Sequence, residues 1–157
     1  AVLSSPVPMT DIVDKKTRSR MMSGIRSRNT CIEITVRKRL FSLGFRYRIN
    51  DRRLPGKPDM VFPKYRAVIF THGCFWHGHG CKYFRLPSSN RDFWQAKIDR
   101  NQKRDEEVVA LLHENGWRVA IVWECALRQK HLSELDAVTR LLSDWLQHGT
   151  ADLEVQG

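Results

Sequence analysis

Val68-Ile69-Phe70-Thr71-His72-Gly73-Cys74-Phe75-Trp76-His77-Gly78-His79-Gly80-Cys81 begins as an apolar run and ends in three histidines, two cysteines and two large aromatics. An unbroken apolar run of this length, set between turn signals, reads as a buried strand. Its end delivers imidazole nitrogen and thiolate sulfur, the donors that borderline-soft Zn²⁺ takes in a tetrahedron. Gly78 and Gly80 allow a sharp reversal, so Cys74, His79 and Cys81 can converge within one loop. A second buried strand, from Arg118 to Trp123, delivers Cys125 just beyond its end. Cys125 is then either the fourth ligand of a closed structural site that fastens the loop to the sheet, or a buried inert thiol. Cys31 falls in the first helix beside an apolar neighbour and reads as core.

Working outward, Thr30 and Glu33 have the spacing of a capping box, and Ile32, Val36, Leu40 and Leu43 form an apolar stripe that Gly44 stops. Phe45, Tyr47 and Ile49 alternate with Arg46 and Arg48, the period of a half-buried strand. Leu54-Pro55-Gly56-Lys57-Pro58 is a stiff loop into a second strand, Asp59 to Phe62, and Pro63-Lys64-Tyr65 turns into the apolar strand. Helical spacing runs from Ser89 to about Asn115, with an interruption near Asn101 and an end at Gly116. A last amphipathic helix carries Leu132, Leu135, Val138, Leu142 and Trp145. The order helix, three strands, helix, strand, helix is that of an α/β fold, a mixed sheet flanked by helices.

With 157 residues, 41% of them hydrophobic, the chain suffices for one core and not for two ordinary domains. That domain is expected over residues 10–148, after a disordered leader at 1–9 and before a flexible, unpatterned tail at 149–157. A formal charge of +10 suits a polyanionic partner, because neutralised phosphates release condensed counterions. Lys15, Lys16, Arg18, Arg20, Arg26 and Arg28, interleaved with Met21, Met22 and Ile25, form a basic N-terminal arm over residues 10–28, or a solvated terminus. No apolar run approaches the ~18 residues of a membrane helix. A cytoplasmic protein is expected, and in a reducing compartment the cysteine and histidine cluster favours metal over disulfide.

Asp59 opens a hairpin strand after Lys57-Pro58, and Thr71-His72 ends the strand that pairs with it. That is the outline of the PD-(D/E)XK nucleases, although Phe70 stands at the second acid position and His72 at the lysine position. The longer string is more specific. Thr17-Arg18-Ser19, Leu54 through Asp59, Val68 through His77, Phe93-Trp94, Gly116 through Val119 and Val122 through Leu127 resemble, in order, the very-short-patch repair endonucleases, the Vsr family. The resemblance covers about residues 12 to 147.

That resemblance implies a restriction-endonuclease-like core with a structural zinc, and a Mg²⁺-dependent enzyme that nicks double-stranded DNA 5′ to the T of a T:G mismatch. Such mismatches arise when 5-methylcytosine deaminates. The family's catalytic Mg²⁺ ligand matches Asp59, with the backbone carbonyl of Thr71 as a further ligand, and its zinc ligands match Cys74, His79, Cys81 and Cys125. The two catalytic histidines match His72 and His77, and an acidic residue on the first helix matches Glu33. Glu33 is equally explained by Thr30 or by an ion pair with Arg37. Gly78 and Gly80 depart from members that carry histidines there. The reading takes His77 as the proton-transfer group and His72 as the contact to phosphate or metal-bound water; Asp105 either orients His77 or is a solvated helix charge.

Phe75, Trp76 and Trp94 are either core or a wedge that unstacks a weakly paired step. Met22 and Ile25 would press the opposite groove, and Lys15 and Arg18 would meet phosphates. The resemblance also implies a nucleoid-associated bacterial monomer that recruits the repair protein MutL. Three other classes remain open on the residues alone. A zinc hydrolase would need an open coordination position; a DNA-binding module would have no use for Asp59 and His77; a restriction-type endonuclease would cut matched duplexes.

Overall fold

In a computed structural model, the structure describes residues 31–128 and 130–157. Lys15, Arg18, Met22 and Ile25, with the rest of the arm, the leader and Thr30, lie outside the described residues. The elements run α1 (Cys31–Ser42), β1 (Arg48–Ile49), β2 (Met60–Phe62), a short 3-10 turn (Pro63–Tyr65), β3 (Ala67–His72), α2 (Arg91–Glu114), β4 (Arg118–Trp123), α3 (Glu124–Leu127), α4 (Leu132–His148) and β5 (Leu153–Val155). The five strands form one mixed sheet in the order β1-β2-β3-β4-β5. The β1-β2 and β2-β3 pairs are antiparallel, and β3-β4 and β4-β5 are parallel.

β3 is central, so both of its faces are covered, which is why its sequence is continuously apolar. Ala67 and Ile69 face a core built with Val36 and Leu40 of α1 and Leu142, Trp145 and Leu146 of α4. Val68 and Phe70 face the opposite side, against Leu112 of α2. The period-two alternation of the strand thus divides one apolar run between two helical layers. Each fully buried aliphatic side chain contributes about 1.5–3 kcal/mol relative to exposure.

Several expectations change. Phe45 is buried against Phe62 and Tyr65, and the Tyr47 hydroxyl donates to the Arg37 carbonyl at 2.7 Å, but only Arg48 and Ile49 join the ladder. α2 runs through Asn101 without interruption, because the Asn101 side chain donates to the Trp76 carbonyl at 2.8 Å instead of competing for its own backbone. Cys31 is exposed at the first position of α1, not core. Leu132 is likewise exposed, in the first turn of α4, so the stripe that packs begins at Leu135.

The tail also changes character. Leu153–Val155 is strand β5, with Ala120 opposite Leu153 and Val122 opposite Val155. Leu153 and Val155 pack into the α1/α4 core. Three residues are too few to show a period, which is why the sequence pattern misses them.

Candidate functional site

β3 and β4 run in register with Ala67 opposite Arg118 and His72 opposite Trp123. Cys74 and Cys125 therefore leave the sheet at the same level, two residues beyond that last pair. Cys74 enters a tight loop in which the amide of His79 donates to the Cys74 carbonyl at 2.9 Å and the amide of Cys81 to the His79 carbonyl at 2.8 Å. Gly78 makes the reversal at φ +63°, where a Cβ would stand 2.5 Å from Gln102 and 2.7 Å from Ile98. Gly80 has no positive φ and open space around it, so the reversal rests on Gly78 alone.

The result brings the donor atoms of Cys74, His79, Cys81 and Cys125 within 4.8 Å of one another. A tetrahedron built on metal–sulfur bonds of about 2.3 Å has edges of roughly 3.8 Å, so this set fits a zinc ion. Burial, with hydrogen bonds among the cysteines, pushes the Cys74 thiol up to about 12. Burial also acts to raise Cys81, but the Tyr83 amide and bonds from Cys74, His79 and Cys125 bring it below its usual value. A bound cation would take the place of the thiol protons at such a site.

A second cluster lies beside the first. The amide of His77 donates to the Gly73 carbonyl at 3.2 Å, and this turn folds His77 back over His72. The two imidazoles stack with centroids 3.8 Å apart and planes 4° from parallel. Asp105 of α2 lies 2.5 Å from His77 Nδ1. With Nδ1–H held by the carboxylate, His77 Nε2 is the nitrogen left to exchange a proton. Burial and the neighbouring His77 push His72 down to about 3, which keeps it neutral. His72 Nδ1 is buried and has no hydrogen-bond partner among the described residues. His72, His77 and Asp105 together form a metal-competent group.

Asp59 stands apart from that group, joined to β3 through Thr71. Its Oδ2 accepts from the Thr71 amide at 2.5 Å and from the Thr71 hydroxyl at 3.1 Å. Burial raises the Asp59 carboxyl to about 7, with the Glu33 charge adding to the effect and the Thr71 bonds and Arg37 opposing it. Glu33 itself is buried on α1 and ion-paired with Arg37 at 3.0 Å. A carboxylate so reluctant to ionise in water's absence is one that a cation would stabilise.

Phe75, Trp76 and Trp94 gather as one cluster, with ring centroids 5.1 to 5.9 Å apart. All three are partly exposed and belong to no core cluster of the described residues. Phe93 extends the group, 5.3 Å from Trp94 and 57% exposed. The Lys97 ammonium sits 5.4 Å from the Trp76 ring centre and 5.7 Å from that of Trp94.

The helix facing these loops supplies groups that sequence reasoning missed. Asn101 holds the Trp76 carbonyl, and Gln102 donates to the carbonyls of His77 and Gly78 at 3.2 and 3.3 Å. With Asp105 they form one face of α2 spaced at one helical turn. In the sequence they look like solvated helix positions, and only the docking of α2 gives them partners. Trp123 was missed as well. Its ring stacks on His79 at 4.2 Å and meets His72 edge-on at 5.3 Å, so it lies between the two clusters.

Fold and site together define a mixed α/β protein with two metal-competent side-chain clusters at one end of its sheet. Residues 10–83 match the family described as DNA mismatch endonuclease Vsr. The DNA mismatch endonuclease Vsr of Escherichia coli (strain K12) is 44% identical over 151 residues, 95% of this chain and 97% of that protein. A type II nicking enzyme of Xanthomonas oryzae pv. oryzae is 47% identical over 136 residues, covering 87% of this chain and 98% of its own. Another, from Neisseria meningitidis serogroup A, is 46% identical over 138 residues, covering 87% and 99%. The chain belongs to the Vsr DNA mismatch endonuclease family.

Proposed function

We propose that this protein nicks double-stranded DNA on the 5′ side of the T in a T:G mismatch, starting repair of deaminated 5-methylcytosine. The observation that carries the reading is the pairing of His77 with Asp105 beside His72 and the Asp59–Thr71 joint, all at the end of β3. The names of the relatives, a mismatch endonuclease and nicking enzymes, support cleavage of one strand.

In this reading Asp59 and the Thr71 carbonyl hold Mg²⁺, which when bound supplies charge neutralisation at the scissile phosphate. His77, oriented by Asp105, moves the proton at Nε2. His72, held neutral by burial, offers a ring nitrogen to the phosphate or to a metal-bound water. Glu33 sets the field around Asp59 from α1. Cys74, His79, Cys81 and Cys125 hold a structural Zn²⁺, and the loop it ties down carries Phe75 and Trp76.

Those two rings and Trp94 form the wedge. A T:G wobble differs from a proper pair mainly in stacking and deformability, so inserted rings cost least at that step. Met22 and Ile25 act from the other groove, and Lys15 and Arg18 meet the backbone. The fold is read as a restriction-endonuclease-like core in one domain that begins near residue 10 and, with β5, extends past the 148 expected from sequence, working as a cytoplasmic monomer that recruits MutL. No described helix is long and apolar enough to cross a membrane.

The test is incubation with T:G and matched duplexes, with and without Mg²⁺. Nicking of the T strand alone, only on the mismatched duplex and only with Mg²⁺, is the expected result. Cleavage of matched DNA would replace this reading with a restriction-type endonuclease, and binding without cleavage would replace it with a DNA-binding module.

A further inference from the structure

β5 and the residues after it do more than extend the sheet. Leu153 and Val155 point into the apolar core, so by strand alternation Asp152, Glu154 and Gln156 share the other face. Each of the three ends on a polar partner. Asp152 accepts from the Val119 amide at 2.9 Å and meets His113 Nε2 at 2.6 Å. Glu154 accepts from the Trp123 indole N–H at 2.5 Å. Gln156 Oε1 lies 2.8 Å from His79 Nε2. Beyond them the amide of Gly157 donates to Cys125 Sγ at 3.3 Å.

The last two partners are members of the four-residue cluster. An amide oxygen at His79 Nε2 can only accept, which places the ring proton on Nε2 and leaves Nδ1 as the ligating nitrogen. Nδ1 is the atom aimed at the cluster, 3.5 Å from Cys125 Sγ. The ring's plane is set independently by its stack on Trp123, 4.2 Å away and 9° from parallel, and Trp123 is held by Glu154. At Gly157, a Cβ would stand 2.3 Å from the Cys125 carbonyl oxygen, so only glycine lets this amide approach the sulfur.

We infer that the segment Asp152 to Gly157 is a strap that presets the zinc site: Gln156 fixes the tautomer and orientation of His79, and Gly157 steadies the Cys125 thiolate. This rests on the reading of the four residues as a zinc site. Gln156 is a positioning residue, acting through His79. A histidine ligand whose far N–H loses its acceptor binds metal about 10- to 100-fold more weakly.

The measurement is release of zinc from the full, zinc-loaded chain to a colorimetric chelator. Gln156→Leu should release zinc about 10 to 100 times faster than the unaltered protein. Gln156→Glu, which keeps an acceptor oxygen, should restore slow release. Asp152→Asn, on the same strand face but away from the cluster, keeps an acceptor for the Val119 amide and should leave the release rate unchanged. In Co²⁺-loaded protein, Gln156→Leu should change the ligand-field bands of the site. Unchanged release from Gln156→Leu would overturn the strap, as would equally fast release from Asp152→Asn, which would mean general fraying. If the unaltered chain binds no zinc, the zinc reading falls first, and a one-to-one zinc content in that chain keeps the two failures distinct.

Discussion

The two clusters at the end of the sheet are neighbours built on opposite principles. Cys74, His79, Cys81 and Cys125 offer three soft sulfurs and one nitrogen that converge on a single point. His72, His77 and Asp105 offer two nitrogens and a carboxylate, with a buried Nδ1 left without a partner, and Asp59 stands alongside through Thr71. The first has every donor turned inward and nothing left to react. The second is only partly committed: His77 is paired with Asp105 and Asp59 with Thr71, while His72 Nδ1 stays buried without a partner among the described residues, the kind of unsatisfied setting in which functional groups gather. Trp123 separates them, flat against His79 and edge-on to His72 and His77. Rigidity on one side of an indole can therefore hold reactivity on the other.

The hardest way to break this contrast is to empty the closed cluster. Stripping the metal with a strong chelator, or Cys81→Ser, should remove a large share of the folding free energy, since structural zinc contributes about 10–16 kcal/mol in small metal-dependent folds. The thermal midpoint should fall steeply and the near-ultraviolet signal of Trp123 should collapse. An unchanged midpoint in a verified zinc-free preparation would leave the loop standing without its anchor.

The open cluster should respond in the opposite way. His77→Ala should slow nicking by about 10²- to 10⁴-fold, the range for a lost general acid or base, while zinc content and melting temperature stay as they were. Asp59→Ala should abolish nicking and leave binding to the T:G duplex largely intact, measured by electrophoretic shift. Asp105→Asn should lower the single-turnover rate by less than His77→Ala, because the ring keeps its place and loses only the carboxylate that holds Nδ1–H. A rate unaffected by Asp105→Asn would return that carboxylate to the solvated helix face.

Which parts of this contrast were legible in the sequence follows from the distance over which each was encoded. Cys74, His79 and Cys81 lie within one loop, and local spacing suffices to join them. Cys125 was readable because it follows an apolar strand as Cys74 does, but its place at the cluster depends on the parallel register that sets His72 opposite Trp123. The elements were legible where several turns or a continuous apolar run gave a period, as in β3, α2 and α4. At the edges they were less so: β1 was read over Phe45 to Ile49 although only Arg48 and Ile49 pair, and the three residues of β5 were missed. Asn101, Gln102 and Gln156 were invisible, because a polar residue on a helix or strand shows no sign of its partner until two elements dock.

The proposed wedge gives a middle-sized test of how the closed cluster serves the open one. Truncating Trp76 or Trp94 to Ala should weaken binding to the mismatched duplex by about 1–3 kcal/mol, the usual worth of base–aromatic stacking. Binding to matched DNA should change much less, since its steps resist unstacking. Because Trp76 sits in the loop between Cys74 and Cys81 and Trp94 on α2, equal losses from the two would place the wedge at their junction. Equal losses on both duplexes would return the rings to a packing role.

The smallest effect is one of stability against pH, and it probes Asp59 without any DNA. Its carboxyl is raised from 3.8 to about 7, so the folded chain holds that proton more tightly than the unfolded chain does. The stability this contributes is complete below pH 3.8 and is lost as pH rises through about 7. His72 runs the other way: lowered from 6.5 to about 3, its contribution is complete above pH 6.5 and lost as pH falls. The two windows overlap, so the wild-type curve should be nearly flat across them. Asp59→Asn removes only the first limb. Without divalent cations it should melt higher than wild type at pH 7.5 by a margin of about 1 kcal/mol or more, because each tenfold difference in proton affinity between the folded and unfolded chains corresponds to about 1.4 kcal/mol. At pH 4 the advantage should vanish, since the wild-type carboxyl is then protonated beside Glu33 and Thr71. Differential scanning calorimetry in chelator at the two pH values measures both. A variant that melts lower than wild type at pH 7.5 would mean that the Thr71 bonds outweigh burial, and that Asp59 is a settled structural carboxylate with no need of a cation.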